Sequence, residues 1–526
     1  MEFPDTRYEI HYGGRMVRCF TERPSSIDAM FRESVARQGE RTAVILGEER
    51  ISFAMLDRRV EAVSAGLVQA GLKRGDRIAL LLGNGLEFVE MVLAAARAGL
   101  VAVPMNIRQR KPEIEFVLNQ CAAAALVYDV EHEANLPAGE DVPALSHVFV
   151  VGNGAGRPYG TLRETDAAGI KFPEVSEEEV FCLLYTSGTT GKPKGAKLTH
   201  LGVIHSLLHF QHALGLGPSD VGVLAAPASH VTGLVAIILT MLRVGGATVI
   251  MPVFKARIFL DIAAREGMSY TLIVPAMYNL CLLDKDFASF DLSAWRVAGF
   301  GGAPMPKATI ERLAEALPDL NLVNCYGSTE TTSPATVLPF GAIRSHPVSV
   351  GRPVPCADIV VVGEDGREVA AGESGELLIA GPMVVPGYWD NEEADRTAFV
   401  GGYWISGDLG SKDADGFVHV FDRKKDMINR AGFKVYCIEV ESVLAHHPAI
   451  VEAAVVGKPD PVLGERVHAF VYNENRPADA AEIRAWCGER LSDYKVPDTI
   501  TFLDQPLPRN ANGKILKNTL RDMLAG

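Results

Sequence analysis

The sequence predicts an α/β protein: a large N-terminal domain of two α/β subdomains plus a β-rich subdomain, followed by a small α+β C-terminal domain. Three observations carry that expectation. The chain has 526 residues, 48% of them hydrophobic, too long for one core and apolar enough to fill several. Strand-like apolar runs alternate with helical patterns up to about Asn324, the rhythm of parallel sheets with crossover helices. Beyond Val350 the runs shorten and Gly, Pro and Asp turns separate them.

Taken in order, Thr42-Ala-Val-Ile-Leu46 and Arg50-Ile-Ser-Phe53 flank a Gly47 turn and read as a hairpin, with a helix from about Met55 to Gln69. Arg77 to Leu82 reads as a buried strand, Leu86 to Ala98 as a helix and Val101 to Pro104 as a strand. A second α/β stretch runs from Glu179 to Asn324. Between Val350 and Val420 strands are expected at Ile359 to Val362, Glu376 to Ile379 and Phe417 to Val420, with no helix. Past Asp422 come a helix (Ile438 to His446), two strands (Ile450 to Val456, Arg466 to Phe470), a helix (Ala480 to Arg490) and a Pro-rich run to Lys514. The expected division is therefore 1–421, a charged and exposed connection 422–426, and 427–526.

Composition excludes several function classes. Lys and Arg total 51 against 65 Asp and Glu, and the formal charge of -14 repels nucleic acid and anionic membrane surfaces. An anionic ligand must then be held by a locally basic or amide-lined site. The eight cysteines are scattered with no Cys-x-x-Cys pair, as buried free thiols in a reducing compartment are. Met1 to Ile10 lacks the apolar core of a secretion signal, and Met523 to Gly526 carries no lipidation or peroxisomal address. The apolar run from Gly233 to Leu242 ends at Arg243, short of the about 20 residues a membrane span needs, and reads as a buried helix. The cytoplasm is the expected location. Gly152, Gly154 and Gly156 mimic part of a dinucleotide fingerprint, but no helix follows and a surface loop is expected.

The strongest chemical signal is Tyr185-Thr-Ser-Gly-Thr-Thr-Gly-Lys-Pro-Lys-Gly195, after the apolar run Phe181 to Leu184. Its glycines allow close backbone approach to an anion, Thr186, Ser187, Thr189 and Thr190 offer hydroxyl donors, and Lys192 and Lys194 supply charge. Such a loop suits polyphosphate. It is not a Walker loop: Gly188 and Gly191 are too close, and Pro193 stands where Ser or Thr is required.

At this loop the chain resembles the adenylate-forming, AMP-binding superfamily of acyl-CoA synthetases, luciferases and peptide-synthetase adenylation domains, and the later motifs follow in the family's order. Gly301-Gly-Ala-Pro-Met305 is similar to the adenine-side turn, where Gly302 and Ala303 would line the base. In Asn324-Cys-Tyr-Gly-Ser-Thr-Glu330, the resemblance implies that Asn324, Cys325, Tyr326 and Gly327 surround the adenine, with Tyr326 stacking on it. Thr329 would contact the α-phosphate, and Glu330, with Thr186, would hold Mg²⁺. Asp408 and Arg423 match the family's ribose contacts, Lys425 the pivot of a mobile C-terminal domain, and Gly432 and Lys434 the strand lining the pantetheine tunnel. Pro506-Leu-Pro-Arg-Asn-Ala-Asn-Gly-Lys514 matches the loop of the catalytic lysine. An ammonium there would stabilise charge spreading over the pentavalent α-phosphorus. His230, in Pro227-Ala-Ser-His-Val-Thr-Gly233, stands where the family has an aromatic or His gate beside the carboxylate pocket. Small residues at pocket positions Thr232, Ala236, Gly299, Gly302 and Cys325 imply a roomy, uncharged acyl site. Many relatives carry a Lys near position 429 or 431; here stand Asn429, Arg430 and Ala431, so that either Arg430 compensates or the CoA contacts lie elsewhere.

The resemblance thus implies an ATP- and Mg²⁺-dependent ligase. It would activate a medium- or long-chain, aromatic or alicyclic acid as acyl-AMP and pass it to coenzyme A, with a homodimer as its self-association. A carrier-protein thiol or oxygen as acceptor, a noncatalytic nucleotide-binding relative and a P-loop phosphotransferase are the rival readings.

Overall fold

The computed structural model describes residues 3–186, 192–474, 478–509 and 515–525. The chain forms two compact units, Met1–Ile359 with Ile379–Ile405, and Val360–Leu378 with Ser406–Gly526.

In the first unit the α/β rhythm becomes two sheets. Val101–Pro104, Arg77–Leu81, Ala125–Asp129 and His147–Val151 are parallel neighbours in that order. Their apolar runs have no polar alternation because both faces are covered. The antiparallel hairpin Val180–Thr186 with Lys194–Thr199 closes this sheet's edge. Helix Leu86–Ala98 lies where the sequence predicts it and ends on Gly99 at φ +68°, a left-handed stop that favours glycine. The Gly152 to Gly156 stretch is a loop, as expected.

In the second sheet Asn321–Tyr326, Val297–Phe300, Tyr270–Ile273, Val221–Leu224, Ala247–Ile250 and Thr42–Leu46 run parallel side by side. Their shared direction brings the C-terminal ends of Phe300 and Tyr326 to one edge, where open α/β sheets bind ligands. The predicted hairpin at Thr42–Leu46 and Glu49–Ser52 is present.

The apolar run after Gly233 is a buried helix, but of π type over Thr232–Leu239 before an α turn at Thr240–Val244. Thr240 Oγ1 donates to the Val235 carbonyl at 2.7 Å, five residues back. A Cβ on Gly233 would lie 2.2 Å from the Pro227 carbonyl oxygen, so only glycine lets this helix start so close to the preceding turn. Among the described residues no helix is long and apolar enough to cross a membrane.

Two expectations need correction. The β-rich stretch contains a helix, Glu392–Ala398, capped by Asn391 accepting from the Ala394 N–H at 3.1 Å. It is too short and charged to show an apolar period. The charged segment 422–426 is not uniformly exposed: Asp422 is 2% and Asp426 9% exposed. Asp422 accepts from the backbone N–H groups of Arg423 and Cys437, and Asp426 from Arg521 at 2.6 Å. A buried carboxylate so satisfied looks, in sequence, like a solvated one.

The second unit is built on a sheet in which Phe433–Val435, Ile428–Arg430, Gly464–Tyr472 and Glu452–Asp460 are neighbours. Thr499–Leu503, inside the run read as Pro-rich, adds a parallel strand to Gly464–Tyr472. Helices Cys437–Leu444 and Ala480–Gly488 supply Val440, Leu444, Ile483 and Cys487 to one core with Val455, Val467 and Val471. Leu507 and Leu520 cover the opposite face with Val456 and Phe470.

Helix His200–Ala213 in the first unit buries three histidines. Burial lowers His200 to about 4 and His205 to about 3, and holds His209 well below 6.5. His205 accepts from the Phe20 N–H at 3.2 Å, whereas neither ring nitrogen of His209 has a hydrogen-bond partner. Because the folded pKa values lie below the unfolded one, the unfolded chain binds more protons as pH falls below 6.5. The stability these groups contribute is therefore complete above about pH 6.5 and is lost towards pH 4. Replacing His209→Leu should make the acid-side decline shallower by up to about 1.4 kcal/mol per pH unit, read from denaturant midpoints between about pH 6.5 and 5. A decline parallel to that of the parent chain would contradict this.

Candidate active site

The glycine-and-hydroxyl loop joins two antiparallel strands whose last and first residues, Thr186 and Lys194, pair directly. Ser187, Gly188, Thr189 and Thr190 lie outside the described residues, as does Lys514. Across from this hairpin, Thr329–Thr331 forms a short 3₁₀ turn preceded by Ser328, whose N–H donates to Thr331 Oγ1 at 2.9 Å.

Glu330 is the centre of the cluster. It is 7% exposed, and its carboxylate accepts from Tyr388 Oη at 3.0 Å, Thr186 Oγ1 at 3.4 Å and Ser328 Oγ at 2.5 Å. Thr186 and Glu330 lie 144 residues apart in sequence, yet the fold brings both predicted metal contacts together. These partners are oxygen donors throughout, the set that a hard cation such as Mg²⁺ takes. Burial and the neighbouring Glu330 carboxylate push the Tyr388 phenol up, so it remains a donor.

Another group of ligand-type atoms, Glu9, His11 and Cys19, is close together but chemically committed. Arg23 binds Glu9 at 2.7 Å, His11 is held by Glu9 at 3.0 Å and Glu178 at 2.8 Å, and burial pushes the Cys19 thiol up to about 12.

The residues expected at the adenine lie on or just beyond the ends of two adjacent parallel strands, Val297–Phe300 and Asn321–Tyr326, with Phe300 opposite Asn324. A Cβ on Gly301 would lie 2.5 Å from the Cys325 carbonyl oxygen, and Gly302 has φ +75°, so the turn is built tightly on glycine. Gly302 and Ala303 are exposed, Tyr326, Gly327 and Thr329 half-buried and Cys325 buried. Asn324 Nδ2 donates to the Ser349 carbonyl at 3.3 Å.

The Thr232 N–H donates to His230 Nδ1 at 3.2 Å, which makes Nδ1 an acceptor and places the proton of the neutral ring on Nε2. Burial lowers the His230 pKa, reinforcing the neutral form. Nearby, Tyr270 Oη donates to the Ala236 carbonyl at 3.0 Å and Tyr278 Oη to the Gly299 carbonyl at 2.7 Å, anchoring the π-helix and strand that carry two pocket positions. A Cβ on Gly299 would lie 3.0 Å from Leu272 Cγ, so packing alone requires a small residue there.

In the second unit Asp408 and Arg423 are cross-strand partners, joined Oδ1 to Nε at 3.0 Å. Arg423 Nη1 also donates to the Ser406 carbonyl at 2.7 Å. Lys425 is exposed, and its carbonyl accepts from Arg521 at 3.4 Å. Ala431 (φ +52°) and Gly432 (φ +89°) make the tight turn between Ile428–Arg430 and Phe433–Val435. Lys434 is exposed and pairs with Glu364 at 2.8 Å, which raises its pKa. Arg430 is committed to Asp498 at 2.8 Å and so is not the spare cation that the sequence offers in place of the missing lysine.

Sequence reasoning missed Ser328 and Tyr388 as site residues. Ser328 lay inside a quoted motif without a role, and the only signal for Tyr388 was an aromatic after Pro386-Gly387 in a stretch of short strands.

Comparison with known proteins identifies the family. The model for "AMP-binding enzyme" matches residues 31–389 and that for "AMP-binding enzyme C-terminal domain" residues 439–514. A feruloyl-CoA synthase of Amycolatopsis sp is 35% identical over 91% of this chain and 95% of its own length. A long-chain-fatty-acid–CoA ligase of Escherichia coli O157:H7 is 32% identical over 96% of each. The o-succinylbenzoate CoA synthetase of Bacillus subtilis, solved with its acyl-adenylate intermediate, superposes with a TM-score of 0.85 at 29% identity, covering 96% of this chain and 99% of that one. The same synthetase has been solved with ATP and magnesium ion. On the site geometry and on these matches over nearly its whole length, the chain belongs to the AMP-binding enzyme family.

Proposed function

We infer that this chain is an AMP-forming acid–CoA ligase, using ATP, Mg²⁺ and coenzyme A. The observation that carries the reading is the Thr186, Ser328 and Glu330 cluster beside the polyphosphate hairpin, a hard-oxygen site at the mouth of a nucleotide-binding sheet. In the first half-reaction a substrate carboxylate oxygen forms a bond to the α-phosphorus of ATP and the bond to pyrophosphate breaks. Glu330 and Thr186 would hold Mg²⁺, which would supply charge neutralisation for the departing phosphates. In the second, the CoA sulfur bonds to the acyl carbon and AMP leaves with the carboxylate oxygen.

Around that chemistry the roles divide by residue type. Thr329 donates to the α-phosphate, Gly302, Ala303 and Tyr326 line the adenine, and Asp408 with Arg423 takes the ribose hydroxyls. The Lys514 ammonium stabilises the pentavalent phosphorus more than the ground state. His230, neutral, borders the carboxylate pocket with Nε2–H as its available donor. Gly432 and Lys434 serve the pantetheine arm, and Lys425 within 422–426 is the pivot of the C-terminal domain 427–526. The cytoplasm, where ATP and CoA meet and thiols stay reduced, suits a chain whose eight cysteines are all free and buried. A homodimer is the self-association this reading carries, read out by sedimentation.

The acid is bulky: small side chains stand at Thr232, Ala236 and Cys325, and the relatives named for their substrates take a ring acid or a long chain. Acyl-CoA formation should be faster with ring-bearing and medium- to long-chain acids than with acetate, measured by mass spectrometry across such a panel. A preference for acetate would overturn the assignment. Lys514→Ala should lose on the order of 10²- to 10³-fold in the pyrophosphate burst, and an unchanged burst would remove the lysine from the chemistry. Lys425→Pro, which restricts the proposed pivot, should impair thioester formation more than adenylation; equal losses in the two half-reactions would argue against a pivot there.

A further inference from the structure

The residues 383–389 do more than close a loop. Their backbone is bound on one side to the phosphate hairpin: the Trp389 N–H donates to the Gly195 carbonyl at 2.7 Å, the Lys197 N–H to the Gly387 carbonyl at 3.1 Å, and Ala196 bridges Tyr388. On the other side they are bound to the Glu330 turn, with the Val385 N–H donating to the Glu330 carbonyl at 2.9 Å and Thr332 Oγ1 to the Met383 carbonyl at 2.7 Å. Tyr388 stands where the two sets of bonds meet. It is 5% exposed, and its own N–H is held by Asp395 Oδ1 at 2.7 Å. Its hydroxyl donates to Glu330 Oε1 at 3.0 Å, while the Lys194 ammonium lies 5.2 Å from the centre of its ring.

One side chain therefore touches both charged groups of the site with two different kinds of interaction. The phenol oxygen orients a carboxylate that has two oxygens to offer a metal ion, and the ring face attracts a flexible lysine that would otherwise sample many rotamers. Neither interaction needs Tyr388 to contact a ligand. We propose that Tyr388 is a positioning residue, whose hydroxyl aims Glu330 at the metal ion and whose ring parks Lys194 on the phosphate side, so that it sets the site's preference for metal-bound over metal-free nucleotide. The proposal rests on the reading of Glu330 as a metal ligand, which is why Glu330 is tested beside it.

The two functions of the side chain separate by substitution. Tyr388→Phe keeps the ring under Lys194 and deletes only the hydroxyl; Tyr388→Leu deletes both. Binding of ATP would be measured by calorimetry with excess Mg²⁺ and again in EDTA, on the full-length chain, with thermal unfolding of each variant as the check on folding. Tyr388→Phe should weaken Mg²⁺-ATP binding about 10- to 100-fold, the usual scale for an outer partner of a metal ligand, and leave metal-free ATP within about twofold. Tyr388→Leu should weaken both. Electron paramagnetic resonance of Mn²⁺ with ATP should report the same loss of metal affinity in Tyr388→Phe without reference to turnover.

Wild-type Mg²⁺-ATP affinity in Tyr388→Phe, alongside a lost metal preference in Glu330→Gln, would overturn the role of Tyr388 and spare that of Glu330. Equal weakening of both nucleotide forms by Tyr388→Phe would reduce the residue to packing and likewise overturn the proposal. An unaltered metal preference in Glu330→Gln would defeat the assignment of Glu330 itself, and the proposal with it. If Tyr388→Leu does not fold, the Tyr388→Phe comparison decides alone.

Discussion

A carboxylate removed from water must be matched by donors, and the matching of Glu330 organises the first unit. Its partners come from the end of a strand (Thr186), its own turn (Ser328) and a loop further along the chain (Tyr388). Left unmatched, a buried charge costs several kcal/mol, comparable with the net stability of a domain. The three segments thus meet where Glu330 is buried. The polyphosphate hairpin is held by the same requirement, since Thr186 is its first corner and Lys194 its second.

The loop that supplies Tyr388 is itself braced from the N-terminal hairpin Thr6–His11 and Arg15–Phe20. Tyr12 Oη donates to the Pro382 carbonyl at 2.9 Å, and Arg15 donates to the carbonyls of Val385 and Pro386 at 3.0 and 2.9 Å. Arg15 also lies over the Phe399 ring at 5.2 Å. A planar guanidinium satisfying two consecutive carbonyls fixes backbone direction in a way that a lysine could not. The hairpin lies ahead of the region that the family model matches, and besides this brace its Tyr12 hydroxyl lies 2.7 Å from Thr199 Oγ1, on the strand that begins at Lys194.

How much of this was legible in the sequence depends on the range of the cause. Leu86–Ala98 and Val101–Pro104 were read to the residue because a two-sided apolar environment writes itself as composition over a short window. The tight Gly301-Gly302 turn was legible because close backbone approach admits few residue types. Tyr388 was not, because a tyrosine donating to a carboxylate 58 residues away has no local signature. Asp422 and Asp426 were misread for the same reason: the Cys437 N–H and the Arg521 guanidinium that they bind become neighbours only after folding. The strand Thr499–Leu503 was hidden because prolines on either side outweighed a five-residue β pattern. The π-helix was hidden because its apolar content does not distinguish it from an α-helix.

An acyl-adenylate is a mixed anhydride that any nearby thiolate could open, and Cys325 stands in the strand Asn321–Tyr326, within the region that the AMP-binding family model matches. Burial, however, pushes that thiol up to about 12, leaving on the order of one molecule in 10⁵ ionised at neutral pH. A solvated thiol near 8.5 holds a few per cent as the nucleophilic form. A buried thiol so far from ionisation is a poor nucleophile at a pH where a solvated one already reacts, so acidity separates Cys325 from an incoming thiol acceptor.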